Sequence, residues 1–448
     1  MSGIARLLRG RGLEVSGTDS ADSPTLSRLA DLGIGTFVGH DPANLGDLGA
    51  GDTLVVSSAV RATNPELVAA RERGLRVVHR SEALAALMAG RRGVAVAGTH
   101  GKTTTSSMLA VALTEAGLDP GYAIGGELTG GTDGGARDGV GPFVAEADES
   151  DGSFRAYAPV VDVVTNVEPD HLDHYGTAEQ YAAAFEEFVD RLQPGGLLVA
   201  CADDPGALAL AGYARERGVR VRTYGTSEAA DVRLTDVRPG AQPSAVLTDP
   251  AAGGATGREL RLAVPGEHNL RNAAAAYCAA LELGADPVLV LAGLARFGGA
   301  RRRFELKGEA AGVRVVDDYS HHPTEVEALL RAARPVAGDG RVVVVFQPHL
   351  VSRTRTFATE FGRALGLADE VVVLDVYVAR EDPDPAVTGA LVADAVPLPS
   401  GHVRFVPDLR SAPQVLAGLV RPGDLLLTVG AGNVTVIGPQ VLELLAGR

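Results

Sequence analysis

The sequence predicts an α/β protein of three domains, and three observations carry that reading. At 448 residues the chain exceeds what one hydrophobic core usually serves. Short apolar, β-branched runs alternate with helix-compatible segments, the pattern of parallel, doubly wound sheets. One such run, Val94–Ala97, leads straight into Gly98-Thr99-His100-Gly101-Lys102-Thr103-Thr104-Thr105, a glycine-framed turn ahead of a helical segment. Strand, phosphate loop and helix in that order form a cradle for phosphate oxygens from main-chain N–H groups and the positive helix end.

Composition narrows the function classes. Hydrophobic content of 46 % with 22 % charge describes an ordinary globular chain. A net charge of −15 argues against a broad nucleic-acid surface, which needs clustered cations. Cys201 and Cys278 are too few for a disulfide framework or a zinc site. No uninterrupted apolar run is long enough to span a bilayer, and Met1–Gly12 carries arginines without a signal-type apolar core. The expectation is a cytoplasmic protein with neither nucleic-acid nor membrane partners, a monomer or homodimer.

Residues 1–88 read as a small Rossmann-like domain. Ile4–Leu8 suits a helix, Leu13–Thr18 a strand, Thr53–Ser57 a strand, Asn64–Arg73 a helix and Leu75–His79 a strand. Asp19 closes the strand where such half-folds place an acid against nucleotide hydroxyls. The first strand and its Gly-rich turn should precede the opening helix, so the domain reads as lacking its first strand.

After a linker around Gly90–Gly93, the central phosphate-loop ATPase domain is expected over 89–298. Strand Phe143–Ala145 ends in Glu146-Ala147-Asp148-Glu149-Ser150-Asp151, and Val160–Thr165 ends in Asn166-Val167-Glu168-Pro169-Asp170-His171. Ala178–Leu192 is amphipathic, Leu197–Cys201 a strand, 225–262 a β-meander, and Gly266-Glu267-His268-Asn269 opens an Ala-rich helix through Leu283. From 299 to 448 the alternation resumes as a parallel doubly wound, Rossmann-like sheet. Its strands are Val313–Val316, Val342–Phe346, Val371–Leu374, Val403–Val406 and Leu425–Val429, with helices from Pro323 and at Thr356–Leu365. Functional groups in such sheets gather at strand carboxyl ends, here Asp317-Asp318, Gln347-Pro348-His349 and Gly430–Asn433.

The chemistry follows from residue types. Lys102 can reach the β- and γ-phosphates of a nucleotide, and the Thr103 hydroxyl with Glu146 suits Mg²⁺, which keeps waters and takes few protein oxygens. Lysine occurs only at Lys102 and Lys307 in a chain that otherwise uses arginine, so its place in the loop is pointed. His171 stands in a Pro-Asp-His turn beyond a strand. His268 and Asn269 open a helix, where Asn is also a favoured cap. Arg301-Arg302-Arg303 is a surface basic cluster or an arginine presented to phosphate.

These residues together resemble the Mur ligases over essentially the whole chain, and within them the alanine-adding branch. The matching stretches are 98–105, Glu146–Phe154, Thr165–His171, Gly266–Asn272, Arg302–Phe304, Asp317–Val326 and Phe346–His349, in the family's order. The resemblance implies a UDP-sugar domain, an ATP domain and a third domain that closes over both. It implies ATP and Mg²⁺ as cofactors, with UDP-N-acetylmuramate and L-alanine joined through an acyl phosphate. Carried over by motif, Gly98, Thr99, His100, Gly101, Lys102, Thr103 and Thr104 hold the phosphates, and Thr103 with Glu146 binds one Mg²⁺. His171 approaches a second Mg²⁺ near the acceptor carboxylate, and His268, Asn269 and Asn272 border the adenine. Arg303 and Asp317 belong to the third domain's nucleotide contacts, Arg303 among the catalytic group with Lys102, Glu146 and His171. Tyr319, His321 and Arg353 face the amino acid, while Asp19, Asp148 and Ser150 are further substrate-side candidates.

Two departures qualify the resemblance, and a missing lysine sharpens it toward the alanine-adding branch. Met1–Arg6 resembles the family's sequence just after its opening turn, so the true start is expected upstream. Leu350 stands where family members often have arginine, a contact that Arg353 or Arg355 must supply if it is made. The sister ligases resemble one another in using a carbamylated lysine for the second Mg²⁺, and this chain has no lysine for it. Three readings compete: a murein-peptide ligase acting on the same nucleotide sugar, a nucleotide-binding protein without ligase activity, and a plain ATPase or kinase. His321, His322 and His349 are candidates by type for taking the amine's proton.

Overall fold

The computed structural model describes residues 1–130, 134–252, 257–379 and 381–447. It forms two compact units: Met1–Leu234 with Thr248–Ala255 and Asn272–Leu294, and Thr235–Leu247 with Thr256–Arg271 and Ala295–Arg448.

The first unit opens with helix Ser2–Gly10, which buries Ile4 and Leu7. The expected N-terminal strands form, but as two separate parallel ladders. Ser16–Asp19 pairs with Gly35–Val38, and Thr53–Val56 with Arg76–His79. Their helices start at textual signals: Ser23 accepts from Leu26 N and Asn64 from Glu66 N and Leu67 N, each followed by Pro at the first helical position. Leu45, Ala69, Ala70 and Leu75 make a small core beneath them.

The rest of this unit is built on a parallel sheet ordered Arg220–Gly225, Leu197–Cys201, Val161–Val164, Gly93–Ala97, Phe143–Glu146 and Gly121–Ala123, with Ala136–Arg137 antiparallel at the edge. Its central strands are buried along their length because helices cover both faces, and they are apolar but for Asp162. The helix Pro205–Glu216 and the strands Arg220–Gly225, Gly121–Ala123 and Ala136–Arg137 escaped the sequence reading. The helix nevertheless carries the standard start, Asp204 accepting from Ala207 N ahead of Pro205. The expected meander at 225–262 is a strand, Val232–Arg238, parallel to its predecessor, and an antiparallel pair, Ser244–Thr248 with Arg258–Arg261. Residues 253–256 of that stretch lie outside the described residues.

In the second unit the sheet order is Glu305–Ala310, Val313–Asp318, Leu425–Val429, Val342–Phe346, Glu370–Val373 and Val403–Phe405. Alternate side chains feed two cores. Val316, Val344, Phe346 and Leu427 pack toward Pro323–Ala337 and Val351–Leu365, while Val315, Val343, Val345 and Leu426 pack toward Ala412–Leu419 and Ile437–Ala446. The expectation of a wholly parallel sheet is corrected at its edge. Glu305–Ala310 runs antiparallel to Val313–Asp318 through a two-residue turn in which Ala311 (φ +50°) and Gly312 (φ +72°) are both left-handed. Such turns usually announce themselves as Asn-Gly or Asp-Gly, and alanine in the first place hid this one. The helix expected from Thr356 begins at Val351, because it continues across a distorted residue, Phe357.

Candidate active site

Strand Gly93–Ala97 lies between Phe143–Glu146 and Val161–Val164, in register Val96 opposite Glu146 and Ala97 opposite Val164. That register brings three carboxyl ends together, and with them the three motifs of this unit. The loop Gly98–Gly101 then delivers the chain into helix Lys102–Glu115, whose N-terminus has no side-chain cap. Its first amides and its positive dipole end remain available to an anion.

The loop tolerates no side chain at its first glycine. Gly98 sits at φ +128°, and a Cβ there would collide with the Thr165 hydroxyl. Thr165 Oγ1 donates to His100 O (2.5 Å), His100 N donates to Asn166 Oδ1 (2.8 Å), and Thr99 Oγ1 donates to Glu168 O (2.8 Å). The turn after Val161–Val164 is thus a brace for the phosphate loop. Sequence reading saw this motif only as the carrier of His171; Thr165 and Asn166 hold the loop's shape.

Lys102 Nζ donates to Gly98 O (2.6 Å), Thr99 O (3.1 Å) and Glu149 Oε1 (2.8 Å). Thr103 Oγ1 donates to Glu146 Oε1 (2.9 Å), and Gly125 N donates to Glu146 Oε2 (2.6 Å). His171, at φ +52° at the entry to a short helical turn, puts Nε2 3.9 Å from Glu149 Oε1 and 3.7 Å from Asp170 Oδ2. Lys102 and His171 therefore meet at Glu149, and Thr103, the next residue of the chain after Lys102, meets Glu146. Burial pushes the Glu149 carboxyl up to about 7, against the pull of Lys102 and with Asp148 adding to the rise.

Asp148 and Ser150 belong to a neighbouring hub. Asp148 Oδ2 accepts from Arg80 Nη2 (2.6 Å), Asp148 Oδ1 from Ser150 N (3.1 Å), and Asp151 accepts from Arg80 (3.3 Å) and from the Ser58 hydroxyl. Burial works against the Asp148 charge, but Lys102 and Arg80 hold its carboxyl below the usual range. Arg80 and Ser58 were not singled out in the sequence, since only the fold brings them to the acidic loop. A cavity of about 180 Å³ lies beside Gly125, lined also by Ser2, Arg6, Arg28, Gly126 and Glu127. Asp19, by contrast, is exposed at its ladder's end and accepts from Ala21 N (3.3 Å) in a local turn.

The Ala-rich helix Glu267–Glu282 carries the adenine candidates in its first two turns. Asn269 Nδ2 donates to Pro265 O (2.7 Å), and a Cβ on Gly101 would stand 2.8 Å from Asn272 Oδ1. Burial pushes the His268 imidazole down to about 4, with Arg271 and Arg303 adding to the fall.

In the second unit Asp317 is fully buried, and its oxygens accept from Thr428 Oγ1 (2.6 Å), Thr435 Oγ1 (2.8 Å) and Arg302 Nε (3.3 Å). Arg302, not Arg303, makes this ion pair. The Arg302 and Arg303 guanidinium groups both lie over the Tyr319 ring, at 4.8 and 5.3 Å. Tyr319, His321, His349 and Tyr377 form a chain of neighbouring rings, while Arg353 is buried in the first turn of its helix. Leu350, at the turn into that helix, adopts φ +71° and its carbonyl accepts from Thr354 N (3.1 Å) and Oγ1 (2.7 Å). No helix among the described residues is long and apolar enough to cross a membrane.

A phosphate loop at the switch of a parallel sheet, with a lysine, a hydroxyl and an acid converging on it, defines a protein that handles nucleotide phosphates. Comparison with known proteins is more specific. Residues 1–92 match the Mur ligase family catalytic domain, 96–280 the Mur ligase middle domain, and 302–432 the Mur ligase glutamate ligase domain. The chain is 85 % identical over 448 residues to a UDP-N-acetylmuramate–L-alanine ligase of Kineococcus radiotolerans, covering 100 % of this chain and 94 % of that protein. It is 58 % identical over 446 residues to the enzyme of that name from Saccharopolyspora erythraea, covering 99 % of this chain and 90 % of that one. The crystal structure of the UDP-N-acetylmuramate–alanine ligase of Thermotoga maritima superposes with a TM-score of 0.83 at 30 % identity, over 99 % of this chain and 96 % of that one. The chain belongs to the Mur ligase family.

Proposed function

We propose that the chain joins L-alanine to the carboxylate of UDP-N-acetylmuramate with the hydrolysis energy of ATP, a step in building peptidoglycan precursors in the cytoplasm. The observation that carries the reading is the meeting of Lys102, Thr103 and Glu146 at the phosphate loop of a chain so similar to ligases of that name. The alternatives have no comparable support.

A carboxylate is a poor acylating agent. Its oxygen attacks the γ-phosphorus of ATP, ADP leaves, and the acyl phosphate so formed is open to the amine. The amine nitrogen attacks the acyl carbon, phosphate departs, and a proton is lost as the amide forms. Loop amides and Lys102 hold the phosphates in line and stabilise the charge gathering on them. The Thr103 hydroxyl and Glu146 carboxylate, 2.9 Å apart, are a donor set suited to a hard cation, and His171 offers a second position. Magnesium, when bound, supplies positive charge to the phosphate oxygens. Within this reading residues 1–88 take the UDP-sugar, 89–298 the nucleotide and 299–448 the amino acid through Tyr319, His321 and Arg353. The cavity beside Gly125, lined by Arg6 and by Arg28 in its ion pair with Glu127, is a place for part of the substrate.

The test is ADP release measured with and without UDP-N-acetylmuramate, across L-alanine, other small amino acids and a cell-wall tripeptide. ADP formation that needs both the nucleotide sugar and L-alanine is expected. Release without the acceptor, or with the tripeptide alone, would overturn the assignment.

A further inference from the structure

Glu149 takes no part in the mechanism above, yet it is the best buried acid at the site. Its side chain is shut from solvent, Oε1 binds Lys102, and Oε2 is buried without a hydrogen-bond partner. Its backbone is fixed, since Glu149 O accepts from Gly152 N (3.0 Å) and from the Tyr175 hydroxyl. An acid so placed is costly, because a buried carboxylate ordinarily has its lone pairs filled.

Lys102 presents the complementary problem. A lysine ammonium has three hydrogens. All three are committed, to Gly98 O, Thr99 O and Glu149 Oε1, so none is left for a phosphate. The two carbonyls belong to the loop itself, leaving Glu149 as the partner that can be surrendered. Surrendering it leaves a buried carboxylate to be met by a proton or by another cation. The replacement has a place to go. His171 Nε2 lies 3.9 Å from Glu149 Oε1, so a carboxylate and an imidazole flank the same spot. The chain has no second lysine in this unit to serve there, because Lys307 lies in the other one.

We propose that Glu149 is an exchangeable counter-ion: it holds Lys102 while the phosphate loop is empty, and joins His171 in binding a divalent cation once Lys102 moves onto nucleotide phosphates. Nucleotide and that cation then bind with positive coupling, each creating the other's site. The proposal deepens the reading of the site as an ATP-dependent ligase and rests on it.

The experiment counts Mn²⁺ bound to the full chain by electron paramagnetic resonance, with and without a saturating non-hydrolysable ATP analogue. In the unsubstituted protein about two Mn²⁺ per chain are expected with the analogue and fewer than about one without it. Glu149→Gln should lower the first number to about one. It should also tighten metal-free ADP binding in EDTA roughly tenfold, because Lys102 is no longer held back. Two Mn²⁺ retained by Glu149→Gln, or equal counts with and without the analogue, would overturn the proposal. The counts on the unsubstituted chain decide the matter even where the variant fails to fold. A chain that binds neither the analogue nor ADP would instead overturn the functional reading itself.

Discussion

Two sets of acids stand at the carboxyl ends of two parallel sheets, and their surroundings treat them differently. Beside the phosphate loop, Glu146 is met by one hydroxyl and one amide, and Glu149 by one ammonium with an oxygen left over. In the second unit Asp317 is met by two hydroxyls and a guanidinium, and Asp318 by Phe304 N (2.7 Å), Ser320 N (2.8 Å) and the Ser320 hydroxyl. Glu149 is as buried as Asp317 and Asp318, and only Glu146 is half-buried, so burial alone does not separate the sets. What separates them is how completely the protein itself fills their acceptor sites. An acid already closed by its own chain serves architecture, whereas one with capacity in reserve is kept for something that arrives later.

The contrast can be broken most directly at the loop. Lys102→Ala should lower turnover at least a hundred- to thousandfold, the cost of losing a charge aimed at the transition state. Melting should change little, because Glu149 can take a proton once the ammonium is gone. Near-normal ADP release by this variant would remove the loop from the chemistry. A paired comparison is next in size. Glu146→Gln should cost about a hundredfold in rate with stability within about 1 kcal/mol. Asp317→Ala should cost about 3–5 kcal/mol of stability in denaturant unfolding, since it strands Arg302 and the Thr428 and Thr435 hydroxyls, the first of them fully buried. The opposite pattern, Glu146 unfolding the chain and Asp317 stopping turnover, would show the distinction to be false.

The smallest effect sharpens the contrast through pH. His268 is held neutral in the fold down to about 4, against an ordinary value near 6.5. The unfolded chain therefore takes up a proton first as pH falls, and stability drops between about 6.5 and 4 by roughly 1–3 kcal/mol. His268→Gln should flatten that part of the stability–pH curve. An unchanged slope would show that the imidazole titrates normally.

Much of this was legible in the sequence, for identifiable reasons. The phosphate loop is contiguous, and its strand, turn and helix are adjacent in the chain. Glu146 and His171 could be placed because each follows an apolar strand directly, and strand ends converge in a parallel sheet. The hold of Glu149 on Lys102 could not be read, because it joins residues 47 apart and depends on register. Nor could the pairing of Arg302 with Asp317, made from a left-handed residue, Arg302 at φ +59°. The edge strand Glu305–Ala310 was hidden by its alanine turn, and the Arg80 hub by the distance between helix start and acidic loop.

The fit of Gly98 against Thr165 has a practical side. Main-chain amides are displayed alike by every residue type except proline, and the first glycine of this loop accepts no side chain that could cover them. A ligand that drew its affinity from those amides would meet few single substitutions able to remove its partners.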